Sequence, residues 1–289
     1  MISVICSDAG GAEIISSWLL YKKINFRLTA SGPAVKIFKS KFKNIKIYNS
    51  LIVSENIDFI LFGTSVKQFE LKQIKNLKKN KKIKVVVYLD SWTDYLERFK
   101  YKNDYLFPDE IWACDKYAKH MAMNIFQDIP IKLIGNYYIK SIRELYRKNK
   151  QPVKKNKIVF LSSPIKDFAK IRFNDPNYYK YTEDDILNFF LKDLIGLNLD
   201  SSEIIIQIHP RENLNIYDDR LKKYNYNIRV NKTKKLIDTM SDANVVVGCN
   251  SMGLVVAQLA LGKKTINILP LGVNDIIPFK QIQTITFKQ

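Results

Sequence analysis

Short runs of consecutive apolar, largely β-branched residues alternate along this chain with segments whose apolar positions recur every three or four residues. In the first half the runs are Ser3–Cys6, Phe26–Thr29, Phe59–Phe62, Val85–Leu89, Ile111–Cys114 and Lys132–Ile134. A run with no polar alternation suits a strand buried on both faces, the mark of a parallel sheet, and the segments between suit crossover helices. Ala12–Tyr21, for example, puts Ile14, Ile15, Trp18 and Leu19 on one face. The pattern pauses in the polar stretch Arg147–Lys157. It restarts with strands at Ile158–Leu161, Ile204–Ile208, Ile228–Val230, Val245–Val247 and Thr265–Leu269, and helices at Glu183–Leu194, Lys234–Met240 and Met252–Leu261. The expected fold is α/β: two tandem Rossmann-like domains facing across a cleft, over residues 1–148 and 158–289, with a linker at 149–157. In open α/β sheets ligands sit beyond the carboxyl ends of the strands, so the loops directly after each strand are where chemistry is expected.

At 289 residues and 46% apolar content the chain can bury a core in each domain. The net charge of +19 suggests an anionic partner, but 39 of the 47 basic residues are Lys and only eight are Arg. The Lys clusters at Lys36–Lys46 and Lys72–Lys84 lack interleaved arginines, the planar forks that read nucleic acid, so nucleic acid is not the expected partner. The first 150 residues hold 27 basic and 14 acidic side chains (+13), the remainder 20 and 14 (+6). That asymmetry favours an anionic glycan or glycolipid acceptor, or the inner membrane face, at the first domain. Cys6, Cys114 and Cys249 have no metal-ligand spacing and fit a reducing compartment. The opening MISVICSDAGG has no basic leader, and no apolar run approaches a membrane span, so a cytoplasmic location with peripheral membrane contact is expected.

Five loops carry candidate chemistry. After the first strand, Gly10 and Gly11 in Ser7–Glu13 let backbone amides approach a sugar or anion, or serve only the tight strand-to-helix turn; Asp8 is a base or a helix cap. After Val85–Leu89 comes Asp90-Ser91-Trp92-Thr93-Asp94. Asp90, beside an aromatic that excludes water, is the preferred general base or else an N-cap, with Asp94 and Asp8 as rivals and Trp92 and Asp94 as acceptor contacts. Asp109 and Glu110 precede their strand and read as solvated. In the second half, Ile204–Ile208 ends in His209-Pro210-Arg211, an imidazole on a stiffened turn beside a permanent cation, suited to a phosphate. His120 lies mid-helix and reads as a surface residue. Val245–Val247 leads into Gly248-Cys249-Asn250-Ser251-Met252-Gly253, where the Ser251 hydroxyl and the amides of Met252 and Gly253 would form an anion site at a helix N-terminus. Ser162 and Ser163 supply a third set of hydroxyls to the same place.

The two-domain layout, His209-Pro210 after a strand and the Gly248–Ser251 turn resemble GT-B glycosyltransferases, nearest to bacterial sialyltransferase-like capsule and lipopolysaccharide enzymes that use CMP-sugars. The resemblance implies a nucleotide sugar, CMP-linked, as substrate on the second domain, with His209 on its phosphate and Ser251 beside it. It implies an inverting, metal-independent transfer with a first-domain carboxylate as base and no cofactor. Asp90-Ser91-Trp92 stands where that family has an acidic-acidic-Gly motif, and the ending IPFKQIQTITFKQ lacks a long C-terminal helix. The alternatives are a UDP-sugar transferase, a nucleotide-sugar epimerase or hydrolase, and a non-catalytic glycan or nucleic-acid binding module.

Overall fold

The computed structural model describes residues 1–52, 56–65, 68–75, 77, 83–149, 152–153, 156–197, 199, 203–232 and 235–288. The chain forms two compact units, Met1–Ser141 and Ile142–Gln289.

The first unit opens with β1 (Ile2–Cys6), α1 (Ala9–Lys22), β2 (Phe26–Ala30), α2 (Gly32–Lys41) and β3 (Ile47–Tyr48). It continues through β4 (Phe59–Phe62), α3 (Phe69–Ile74), β5 (Lys84–Leu89) and a short hairpin, β6 (Lys100–Tyr101) with β7 (Asp104–Tyr105). β8 (Glu110–Ala113), α4 (Lys116–Ile125) and β9 (Ile131–Leu133) complete its main sheet, and α5 (Tyr137–Lys148) leads out of it. The sheet is parallel, in the order β3-β2-β1-β4-β5-β8-β9. The division between units falls inside α5, before the polar stretch expected to be the linker; residues 150, 151, 154 and 155 of that stretch lie outside the described residues.

The second unit repeats the plan with β10 (Lys157–Leu161), α6 (Ile165–Phe173), α7 (Glu183–Lys192), β11 (Glu203–Gln207), α8 (Asn215–Leu221) and β12 (Ile228–Asn231). Then come α9 (Leu236–Met240), β13 (Val245–Gly248), α10 (Met252–Leu259), β14 (Lys264–Pro270) and β15 (Gln283–Phe287). Lys234, expected to begin the α9 helix, lies outside the described residues. The strand order is β12-β11-β10-β13-β14-β15, again parallel. The expected α/β fold of two tandem Rossmann-like domains is the fold observed.

The central strands are buried from end to end, as their unbroken apolar runs require. Ile158, Phe160, Ile204, Ile206, Val245, Val247, Ile266 and Ile268 form the second core with Ile186, Leu187 and Phe190 of α7. Each such side chain contributes about 1.5–3 kcal/mol when fully buried. Thr182 and Asp185 begin α7 with a reciprocal capping box. In both sheets the order of strand addition switches sides beside the first strand, between β1 and β4 and between β10 and β13. In open α/β sheets, loops at such points are the general place for ligand binding.

Candidate functional site

At the carboxyl edge of the first sheet, Ile5 aligns with Phe62 and Phe62 with Val87. Three residues further on, Asp8, Ser65 and Asp90 therefore leave neighbouring strands at one level. Glycine at position 10 belongs to this arrangement: a Cβ there would lie 1.9 Å from Asp90 Oδ2, so the carboxylate rests against the first turn of α1. Gly11 is spent on packing, since its Cβ would come within 3.2 Å of Gly63 Cα and 3.3 Å of Cys6 Sγ. Only Gly10 of the pair is exposed at the edge.

Asp90 is not a helix cap, because the segment after β5 passes only through a 3-10 turn at Glu97–Phe99 before the β6–β7 hairpin. Its Oδ1 instead pairs with Arg98 Nη1 at 3.1 Å, both side chains being largely covered. The same guanidinium donates to the Thr64 hydroxyl at 2.5 Å, to the Thr93 carbonyl at 2.8 Å and to the Ser91 hydroxyl, stapling the β4 and β5 loops together. Asp94 is exposed, with left-handed backbone (φ 60°), rather than one helical turn beyond Asp90. Trp92, expected to contact an acceptor, is 4% exposed and donates its indole N–H to Asp115 at 2.9 Å, so it belongs to the core. Asp8 holds the N-cap position of α1 without a capping bond from its side chain.

Two first-unit carboxylates hold buried positions that the sequence reading did not give them. Glu70 of α3 is 1% exposed and accepts hydrogen bonds from the Ser7 amide (2.7 Å), the Ser7 hydroxyl (2.8 Å) and the Ser65 hydroxyl (2.5 Å). Burial pushes its carboxyl above the usual range, against those hydrogen bonds. A single acid among the core positions Phe69, Leu71 and Ile74 was the available signal. Glu110, read as solvated, is buried at 4%. Burial alone would raise its carboxyl, but hydrogen bonds from Lys84, Lys132 and Trp112 outweigh this and bring it to about 2. It tethers the opposite edge of the sheet, away from the loops that follow β1, β4 and β5.

In the second unit Leu161 aligns with Gln207 on one side and Gly248 on the other, so the Ser162, Ile208–Arg211 and Cys249–Ser251 loops leave adjacent strands at one level. His209 accepts a hydrogen bond from the Arg211 amide on Nδ1 (3.2 Å), which leaves its proton on Nε2. Its ring meets Phe168 of α6 edge-on at 5.6 Å, and the Arg211 guanidinium lies 5.6 Å from the centre of that same ring. Burial, then the positive charge of Arg211, lower the imidazole from 6.5 to about 4, with Asp167 pulling weakly the other way. At neutral pH His209 is therefore an uncharged N–H donor. Because the folded value lies below the unfolded one, the stability contributed by this group is full above 6.5 and is lost as pH falls toward 4. Thermal melts over that window should show a shallower acid decline for His209→Gln than for the parent; parallel curves would contradict this.

His209 is held by Glu212, whose Oε2 accepts from the His209 amide at 2.7 Å. Glu212 Oε1 accepts from the Ser162 and Tyr217 hydroxyls, each at 2.7 Å. Ser162, expected on a ligand, is thus locked into this buried network, while Ser163 remains half-buried at the edge. Pro210 and Arg211 are exposed. The acid three residues after the strand-end histidine was the missed signal, since that spacing returns a carboxylate to the turn's own amide.

The Asn250 turn is also a latch. Its amide donates to Asn267 Oδ1 (2.7 Å), its Oδ1 accepts from Asn267 Nδ2 (3.2 Å) and the Ile276 amide (3.3 Å), and its Nδ2 donates to the Asn274 carbonyl (3.1 Å). Asn250 therefore fixes the loop after β14 instead of offering itself to a phosphate. Ser251 caps α10, accepting from the Gly253 amide at 3.2 Å, and Met252 stands 38% exposed beside it. Gly253 serves packing, since a Cβ would lie 2.6 Å from Leu161 Cδ1. The adjacent acids Asp184-Asp185 and Asp218-Asp219 offer no free metal-binding pair among the described side chains: Asp184 grips Arg220 (2.7 and 2.9 Å), Asp185 closes the α7 capping box and Asp219 pairs with Lys222, the Asp218 side chain lying outside the described residues. Among the described residues no group of three or more His, Cys, Asp or Glu side chains is placed to hold a metal ion.

No protein-family model matches this sequence, and no curated protein matches it. Solved structures do. The S. aureus MnaA–UDP co-structure is similar at a TM-score of 0.60 and 9% identity, over 92% of this chain and 79% of that one. A Listeria monocytogenes protein assigned provisionally as a UDP-N-acetylglucosamine 2-epimerase has a TM-score of 0.58 and 12% identity, over 92% and 78%. The glycosyltransferase of kitacinnamycin has a TM-score of 0.53 and 13% identity, over 99% and 85%. Likeness at such identities establishes the fold, the pair of Rossmann-like domains found in GT-B enzymes.

Proposed function

We propose that the protein is a metal-independent, inverting glycosyltransferase that moves a sugar from a nucleotide donor to a glycan or glycolipid in surface polysaccharide synthesis. The observation that carries this reading is His209: an uncharged imidazole at a strand's carboxyl end, its Nδ1 occupied and Nε2–H left to donate, beside Arg211. Such a donor, with a permanent cation and the α10 N-terminus on the neighbouring loop, suits a phosphate that gains charge as the sugar departs. Ser163, Ser251 and Met252 would border the same phosphate. Asp90 is the proposed base, taking the proton of the acceptor hydroxyl as that oxygen attacks the anomeric carbon and the nucleotide leaves. The basic excess of the first 150 residues favours an anionic acceptor and contact with the inner membrane face. No helix among the described residues is long and apolar enough to cross a membrane.

The resemblance around His209-Pro210 makes a CMP-linked, sialic-acid-like sugar the proposed donor. The UDP in the S. aureus co-structure favours a second reading, a UDP-sugar transferase or epimerase. Thermal shifts with CMP, CDP, UDP and GDP separate them, because a ligand that binds only the folded state raises stability with its affinity. The expected result is stabilisation by CMP or CDP, largely removed in His209→Ala, which loses a charge-assisted bond worth about 1.5–3 kcal/mol. Stabilisation by UDP alone would transfer the assignment to the second reading, and no shift with any nucleotide would overturn both. Donor turnover should persist in EDTA; collapse with chelator and recovery with Mg²⁺ or Mn²⁺ would overturn the metal-independent scheme.

A further inference from the structure

The amino edge of the second sheet, opposite the His209 loops, holds a pocket of about 570 Å³. Its walls are the last turns of α5, the residues leading into β13 and the α10–β14 connection. Every charged side chain among the described residues lining it is cationic: Arg143, Arg147, Lys263 and Lys264. Among the described residues none of the four forms an ion pair with a carboxylate.

Lys263 is the telling member. It is 4% exposed, and among the described residues the one hydrogen-bond acceptor of its ammonium is the Ser241 carbonyl, at 2.6 Å. An ammonium has three protons to donate, and one buried without a carboxylate calls for an anion within reach. Tyr146 forms the adjoining wall, its ring 5.4 Å from the Lys263 nitrogen and its hydroxyl donating to the same Ser241 carbonyl at 3.2 Å. Arg143 spends Nε and Nη2 on the Leu259 carbonyl (3.0 and 2.7 Å), which neutralises the carbonyl end of α10 and leaves Nη1 to donate. Arg147 and Lys264 stand exposed at the rim. The interior is thus cationic, aromatic on one side and large enough for a sugar phosphate.

We propose that this pocket is a second anion site that binds a phosphate-bearing ligand between Lys263, Arg143, Arg147 and Lys264. The phosphate belongs either to a soluble metabolite or to a lipid headgroup, and both present the same anionic oxygens to these four cations. The site lies at the opposite edge of the sheet from the His209 loops and does not depend on the donor assignment.

The test is calorimetric titration of the full-length protein with inorganic pyrophosphate, together with cosedimentation on phosphatidylcholine vesicles with and without phosphatidylglycerol. The double variant Arg147→Gln, Lys264→Gln changes exposed side chains and should fold; Lys222→Gln, Lys223→Gln is its charge-matched control, and His209→Ala reports the other edge. Saturable pyrophosphate binding at least about tenfold weaker in the rim variant, but retained in the control and in His209→Ala, supports the site. Selective loss of vesicle binding in the rim variant supports it too and identifies the source as lipid; pyrophosphate binding without vesicle binding identifies a soluble one. No saturable binding of either probe, or equal binding by parent and rim variant, overturns it.

Discussion

Asp90→Asn is expected to lower transfer about 10²–10⁴-fold while leaving the nucleotide thermal shift intact, because removing a general base acts on the chemical step and the proposed donor contacts belong to the other unit. The substitution keeps the shape of the side chain against Gly10 and an oxygen for Arg98, so the β5 loop should hold its course. Asp8, on the same row of the sheet edge, is the internal control: Asp8→Asn should be milder. The measurement is nucleotide release from whichever donor sugar the thermal shifts select. Near-normal release from Asp90→Asn beside an inactive Asp8→Asn would move the base to the loop after β1.

Glu212→Ala should have the largest effect on the second unit. Three donors, the His209 amide and the Ser162 and Tyr217 hydroxyls, converge on this one 8%-exposed carboxylate. Hydrogen bonds to a charged group contribute about 1.5–3 kcal/mol each, and stranded buried donors cost as much, so a loss on the order of 3–5 kcal/mol is expected in denaturant melts. The nucleotide shift should vanish with it even where the protein remains folded, because the His209 turn loses its anchor. Glu212→Gln, which still accepts on one oxygen, should recover part of both. A Glu212→Ala protein as stable as the parent would refute this account of the turn. One that is destabilised yet binds nucleotide normally would separate the network from the ligand.

The legible parts of this protein are those in which local pattern and burial coincide. Runs such as Phe59–Phe62 and Val245–Val247 announce central strands because a parallel sheet covered on both faces admits no polar alternation. Two of the four edge strands of the main sheets are not legible: Ile47–Tyr48 is two residues long, and Gln283–Phe287 alternates Thr and Ile on the last strand of its sheet, whereas the edge strands at Ile131–Leu133 and Ile228–Asn231 still show as short apolar runs. The strand-end positions of Asp8, Asp90, His209 and Ser251 can likewise be read directly, since each follows a recognisable strand.

What those residues do with their side chains was decided by partners distant in sequence. Trp92 and Asn250 look available to a ligand until Asp115 and Asn267 occupy their polar atoms. Gly253 reads as an opening toward an anion, whereas the space it leaves is filled by Leu161. By itself, then, the sequence determined the two parallel sheets, their order of elements along the chain and the loops that must lie at their carboxyl edges, because burial periodicity is a local property. Tertiary contacts settled which carboxylates (Glu70, Glu212) are consumed in holding loops, and where four cations gather with no acid among the described residues around them. Hydrogen bonds and charges are satisfied between strands and loops that meet only once the sheets have formed.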